Sequence, residues 1–173
     1  MSLVHLHLLL NHVPVIGALF VLLVLIVALW RRNSEMGKLG LFLIVGTALV
    51  AGVVFLTGEP AEEAVENVAG IAESIVHQHE EAAEAALFGT GVAGVLALAL
   101  LFWYRRRELP RVAAGVSLFA MLAVSGLMAW TANLGGQIRH TEIQTAAASA
   151  AGEVGGGRDG SEGREGNEGR ERR

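Results

Sequence analysis

The chain has 173 residues, of which 53% are apolar and only 17% are charged. Soluble domains usually carry about 25% charged residues, so this composition favours a membrane protein. The net charge of −4 argues against nucleic acid as a partner, and the absence of cysteine excludes disulfides, thiolate metal sites and iron–sulfur clusters.

Four apolar segments are long enough to cross a bilayer as α-helices, because about 20 residues span a hydrocarbon core of about 30 Å. They comprise residues 7–30, 39–57, 85–104 and 112–134. The first is too long for the apolar part of a signal peptide and ends in Arg31-Arg32, so we predict that it stays in the protein as a span. The predicted fold is an all-α, integral membrane four-helix bundle within residues 1–144.

Basic residues predict the orientation of the bundle. Lys and Arg occur in the connections after the first and third spans, whereas residues 58–84 contain none. By the positive-inside rule the two basic connections face the cytoplasm, and Trp30, Trp103 and Tyr104 mark that boundary. The sequence therefore predicts a multi-pass protein of the inner (plasma) membrane with both termini outside the cytoplasm.

Two further segments have distinct patterns. Residues 60–84 predict an amphipathic helix on the outer side, with Pro60 in its first turn, that turns into the third span. His79 falls on its apolar face and His77 on its acidic face. Residues 145–173 are rich in Gly, Glu and Arg and have few apolar side chains to bury, so we predict a disordered tail.

All six histidines fall on the predicted outer side, and this clustering is the main indication of a site. Imidazoles on facing helices are how helical bundles hold haem or a metal ion. A b-type haem with two axial histidines would use His12 and His79, or one of them with His140. His7, which shares a helix face with Asn11 rather than with His12, is a further candidate.

A non-haem metal ion is the alternative occupant. Copper, zinc or iron would be bound by His12 and His79 together with the nearby carboxylates of Glu59, Glu62 and Glu63. A site with no cofactor, in which the histidines are simply solvated at the membrane boundary, is equally compatible with the pattern.

The opening residues resemble a known motif. His7-Leu8-Leu9-Leu10-Asn11-His12-Val13-Pro14 is similar to the His-Pro-x-x-x-His-x-Pro motif that opens a bacterial family of predicted four-helix membrane proteins of unknown function. Thr57-Gly58, His79 and Leu134-Gly135-Gly136 followed by His140 extend the resemblance over about residues 3–142. Leu8 replaces the motif's proline, and the interval from the paired glycines to His140 is shorter than in the family.

The resemblance implies four spans with the histidines on one side, and by architecture a kinship with small haem-carrying membrane cytochromes. Three functions stay open: a haem-binding redox or electron-transfer protein, a non-haem metal-binding membrane protein, and a cofactor-free accessory subunit of a membrane complex. The sequence has no nucleophile–base pair, phosphate-binding loop or dinucleotide motif, so it identifies no enzyme class. The expected partners are the bilayer and either a redox partner or a membrane complex.

Overall fold

The computed structural model describes residues 3–58 and 73–139, which form five α-helices. In chain order they are α1 Leu3–Leu10, α2 His12–Arg31, α3 Ser34–Leu56, α4 Glu73–Trp103 and α5 Arg111–Arg139. The N–H of Asn11, between α1 and α2, bonds to the carbonyl of His7 at 2.9 Å, so these two helices continue one another. The predicted all-α fold is confirmed.

Four helical stretches are long and apolar enough to cross a membrane. They are Val4–Arg31, Ser34–Leu56, Glu73–Trp103 and Arg111–Ile138. Their outward sides carry large apolar residues; Leu49 is 69% exposed and Phe119 is 76% exposed. A soluble monomer does not expose so much apolar surface, whereas lipid solvates it. The protein is therefore a multi-pass membrane protein built as a four-helix bundle.

The interior of the bundle is packed with aliphatic and small side chains. Leu25 of α2, Leu41 of α3 and Met121 of α5 are completely buried. Gly40 of α3 lies directly against Leu25, since a Cβ atom built on it would be 2.5 Å from the Leu25 Cδ2. Small residues thus allow the helices to approach closely.

The two turns at the arginine-rich end are built from specific backbone contacts. Arg32 adopts the left-handed conformation, with φ of 53°, and ends α2. Asn33 then caps α3, because its side-chain oxygen accepts the N–H of Met36 at 3.0 Å. The N–H of Leu109, which precedes α5, donates to the hydroxyl of Ser34 at 2.7 Å. This last bond holds the two turns together.

The helices begin earlier in the chain than the predicted spans. The α3 helix begins at Ser34 rather than at residue 39, because Asn33 caps it there. The first turns can include the charged residues Glu35 and Lys38, since these two side chains form an ion pair at 2.8 Å. The predicted amphipathic helix is described from Glu73 onward, where it continues into the third span as the single helix α4. Its earlier part, residues 60–72, and the predicted tail, residues 145–173, lie outside the described residues.

Candidate functional site

Two histidines lie together at the end of the bundle opposite the arginine-rich turns. His7 precedes Arg31 by 24 residues and His79 precedes Trp103 by 24 residues (31 − 7 and 103 − 79). At about 1.5 Å per residue, both imidazoles are about 36 Å from that end. His7 and His79 are close enough to interact electrostatically. The structure thus brings one imidazole from α1 and one from α4 to the same end of the bundle, within electrostatic range of each other.

His79 is positioned by the last turns of α5. The side chain is half-buried, and its Nδ1 atom lies 3.0 Å from the carbonyl oxygen of Thr131. A Cβ atom on Gly135 would lie 3.1 Å from the Cε1 atom of His79 and 3.4 Å from its Nδ1 atom. The imidazole therefore packs against the backbone of Gly135, where a side chain would displace it. Its place on the packed face of α4 agrees with the sequence prediction.

His7 is positioned in the same way by the end of α3. Its Nδ1 atom lies 3.1 Å from the carbonyl oxygen of Val54 and 3.2 Å from the hydroxyl of Thr57. The Thr57 hydroxyl donates to the same carbonyl at 2.8 Å. A Cβ atom on Gly58 would be 3.6 Å from the Cε1 atom of His7. Each imidazole is thus held by a carbonyl and a glycine near the end of the following span.

These contacts decide which ring nitrogen carries the proton. A carbonyl oxygen can only accept, so the contacts to Val54 and Thr131 are hydrogen bonds when Nδ1 is the protonated nitrogen. In a neutral imidazole this leaves the lone pair on Nε2. Histidine ligands of metals usually donate their other N–H to a carbonyl or carboxylate, which fixes the tautomer and the ring orientation. Both His7 and His79 therefore have the arrangement typical of a metal ligand.

His12, a predicted ligand, lies on a different side of its helix. It is exposed and continues a stripe of exposed residues that includes Ile16, 64% exposed, and Leu19, 58% exposed. The electrostatic partner of His79 is instead His7. The structure brings together His7 and His79 among the predicted ligands and places His12 on the outer surface of the bundle.

The remaining predicted residues divide into surface residues and residues that the structure does not describe. His77 is exposed and lies 3.4 Å from Glu81 and 3.7 Å from Glu80, in agreement with its predicted place on the acidic face. Within the two described ranges, no three His, Asp or Glu side chains form a group that could hold a metal ion. The other predicted ligands, Glu59, Glu62, Glu63 and His140, lie outside those ranges.

Asn11 is a further polar residue near the histidine end, and its sequence position alone assigns it no role. It lies one turn after His7 on the same face, and its Oδ1 atom is fully buried without a hydrogen-bond partner in the described part of the chain. The stripe formed by His7, Asn11, Pro14 and Ala18 contains polar or small residues, whereas the stripe of His12 is made of Leu and Ile. This difference is the sequence signal that distinguishes the inward histidine from the outward one.

Comparison of the chain with known protein families, with curated proteins and with solved structures finds no match. The functional interpretation is therefore based on the pair of imidazoles, His7 and His79.

Proposed function

We propose that this membrane protein binds a b-type haem between His7 and His79 and functions in electron transfer. The observation that supports the proposal is the matched pair of imidazoles, each with its Nδ1 atom within hydrogen-bond distance of a backbone carbonyl, which favours the tautomer with the lone pair on Nε2. When bound, a haem with two histidine ligands supplies a one-electron redox couple. The protein residues hold the two rings in fixed orientations and keep both rings in the tautomer that binds iron.

The number of ligands favours haem over a single metal ion. A porphyrin supplies four nitrogen ligands, so two imidazoles complete the coordination of its iron. Zinc or copper without a porphyrin takes three or four protein ligands. For such an ion, Glu59, Glu62, Glu63 or His140 would have to join His7 and His79.

The proposal includes a location and an orientation. The arginine-rich turns support a bundle of the plasma membrane whose histidine end faces away from the cytoplasm. A redox partner would then meet the protein on that outer side. The resemblance of residues 7–14 to the four-helix family supports the same arrangement, because its opening motif includes His7.

An absorption spectrum tests the proposal directly. The protein is produced in cells supplied with a haem precursor and purified in detergent, and the reduced-minus-oxidised spectrum is recorded. We expect a Soret band and a sharp α-band in the wild-type protein, and the loss of both in His7→Ala and in His79→Ala. His12→Ala is the matched control, since it removes the same side chain from the outward stripe, and it should retain the spectrum.

The alternatives give different results. A protein without a Soret band that retains copper, zinc or iron, and loses it in His79→Ala, supports the non-haem site. A protein with neither haem nor metal supports an accessory subunit. Loss of haem in His12→Ala but not in His7→Ala would overturn the assignment of the pair.

A further inference from the structure

We infer that the described part of the chain consists of two copies of one helix hairpin, α1–α3 and α4–α5, which pack about a pseudo-two-fold axis running between His7 and His79. The two repeats would contribute equivalent ligands, His7 and His79, to one group on the axis. This consequence rests on the proposed function. The repeat itself is visible in the residues of the two hairpins and does not depend on any bound group.

The first helices of the two repeats correspond when 72 is added to the residue number. This offset converts His7 into His79 (7 + 72 = 79) and His5 into His77 (5 + 72 = 77), so each repeat begins with two histidines separated by one residue. The same offset aligns five buried positions of α2 with five buried positions of α4. These pairs are Pro14 and Ala86, Ala18 and Thr90, Val21 and Ala93, Leu22 and Gly94, and Leu25 and Ala97.

The second helices correspond when 77 is added. This offset converts Val54 into Thr131 and Gly58 into Gly135, which are the carbonyl and glycine positions that hold the two imidazoles. Each buried position described in α5 then matches a buried position in or just after α3. These pairs are Gly37 and Ala114, Gly40 and Ser117, Ile44 and Met121, Thr47 and Val124, Ala51 and Met128, and Thr57 and Leu134.

Helical periodicity alone does not explain this agreement. Burial recurs every three or four residues in any packed helix, so two helices always match at some offset. Here the offsets are fixed independently by the contacts between imidazole, carbonyl and glycine. The same two offsets also relate a packing contact inside each hairpin, because they convert Gly17 into Gly89 and Thr47 into Val124. A Cβ atom on Gly17 would lie 3.2 Å from the Thr47 hydroxyl, and one on Gly89 would lie 3.6 Å from the Cγ2 atom of Val124.

The two repeats run in the same direction. Both begin at the histidine end, and their turns meet at the opposite end, where the Leu109 N–H donates to the Ser34 hydroxyl. Parallel repeats of this kind are related by an axis along the membrane normal. A group bound on this axis would be held by the Nε2 atoms of His7 and His79, one from each repeat, and a tetrapyrrole would accept two such equivalent ligands.

The symmetry predicts a contact that can be tested. Between the repeats, a Cβ atom on Gly94 of α4 would lie 2.7 Å from the Cβ atom of Ala48 of α3. Applying the offsets (94 − 72 = 22 and 48 + 77 = 125) gives Leu22 of α2 and Ser125 of α5 as the equivalent pair. Both are consistent with an interior position, since Leu22 is buried and the Ser125 hydroxyl oxygen is fully buried.

The chain contains no cysteine, so introduced pairs can be oxidised without competing thiols. Full-length Ala48→Cys/Gly94→Cys and Leu22→Cys/Ser125→Cys are oxidised in native membranes, and the remaining thiols are labelled with a maleimide mass tag. In both variants, at least about three quarters of the protein should form the disulfide and escape labelling. Leu23→Cys/Ser125→Cys is the matched control; Leu23 is 56% exposed on the outward stripe and should stay labelled.

The crosslinking result tests the repeat independently of the proposed haem. Oxidation of Ala48→Cys/Gly94→Cys without oxidation of Leu22→Cys/Ser125→Cys would overturn the repeat, whether or not haem is bound. Oxidation of both pairs in a protein that has no Soret band would support the repeat and overturn the proposed function. With haem bound, the repeat further requires that His7→Ala and His79→Ala lower its occupancy to the same extent, within about twofold.

Discussion

The Nδ1 atom of His79 lies 3.0 Å from the carbonyl oxygen of Thr131, so α5 sets the orientation of an imidazole that belongs to α4. One turn later, α5 places Gly135 against the same ring. The acceptor is a backbone group that no side-chain substitution removes, but the glycine can be changed. Gly135 is therefore the residue through which the orientation of His79 can be altered.

We expect Gly135→Ala to displace the His79 ring, because the added methyl group would lie 3.1 Å from Cε1. Gly136→Ala is the adjacent control, since nothing lies within 4 Å of its Cβ position. Within a helix, alanine is favoured over glycine by about 0.5–1 kcal/mol, so Gly136→Ala should unfold at a slightly higher temperature. Gly135→Ala should not show this increase in unfolding temperature, and with haem bound it should alter the absorption spectrum of the haem. Identical behaviour of the two variants in thermal unfolding and absorption would contradict the described contact.

The close approach of α2 and α3 gives a second prediction. A Cβ atom on Gly40 would lie 2.5 Å from Cδ2 of Leu25, which is completely buried, so Gly40→Ala should destabilise the bundle by about 1–3 kcal/mol. Gly46→Ala, on the same helix, introduces a methyl group with nothing within 4 Å and should be neutral or stabilising. Unfolding in mixed micelles by denaturant measures both. If Gly40→Ala is as stable as Gly46→Ala, then α2 and α3 are further apart at Gly40 than described.

The bond between the two turns is the subject of a third prediction. Ser34→Ala leaves the N–H of Leu109 without its acceptor, and we expect a loss of about 0.5–1.5 kcal/mol of stability. Ser74→Ala removes a hydroxyl from an exposed position of α4 and should change stability little. Thermal unfolding of both variants in the same detergent gives the comparison. A larger loss in Ser74→Ala than in Ser34→Ala would argue against this contact.

The proposed orientation gives a fourth prediction. A reporter that is active only outside the cytoplasm should be active when fused after Glu142 and inactive when fused after Arg107. A fluorescent reporter that folds only in the cytoplasm should show the reverse pattern. Activity of the first reporter at Arg107 would place the arginine-rich end outside and reverse the assignment of both sides.

Much of the fold follows from the sequence, because hydropathy and length identify spans directly. The four spans and the inward position of His79 are examples. The helix ends were less accurate, since the predicted spans stop where the residues become polar. The α3 helix begins earlier because the Asn33 cap supports a polar first turn.

The site was only partly predictable. The clustering of histidines at one end follows from their positions, but the prediction gave most weight to His12, which lies on the outward stripe. The composition of each stripe, small and polar around His7 and large and apolar around His12, distinguishes them. The hydrogen bonds to Val54 and Thr131 could not be predicted, because they join residues 47 and 52 positions apart in the chain.

Three hydroxyl groups are buried in the interior between the two ends of the bundle. Thr47, Thr90 and Ser117 each donate to a carbonyl of their own helix, at 2.9, 2.6 and 2.9 Å. Each of these hydroxyl protons is therefore engaged within its own helix rather than with a neighbouring helix. In the interior these three hydroxyls therefore add no bond between helices, and the helices are held together there by the packing of apolar and small side chains.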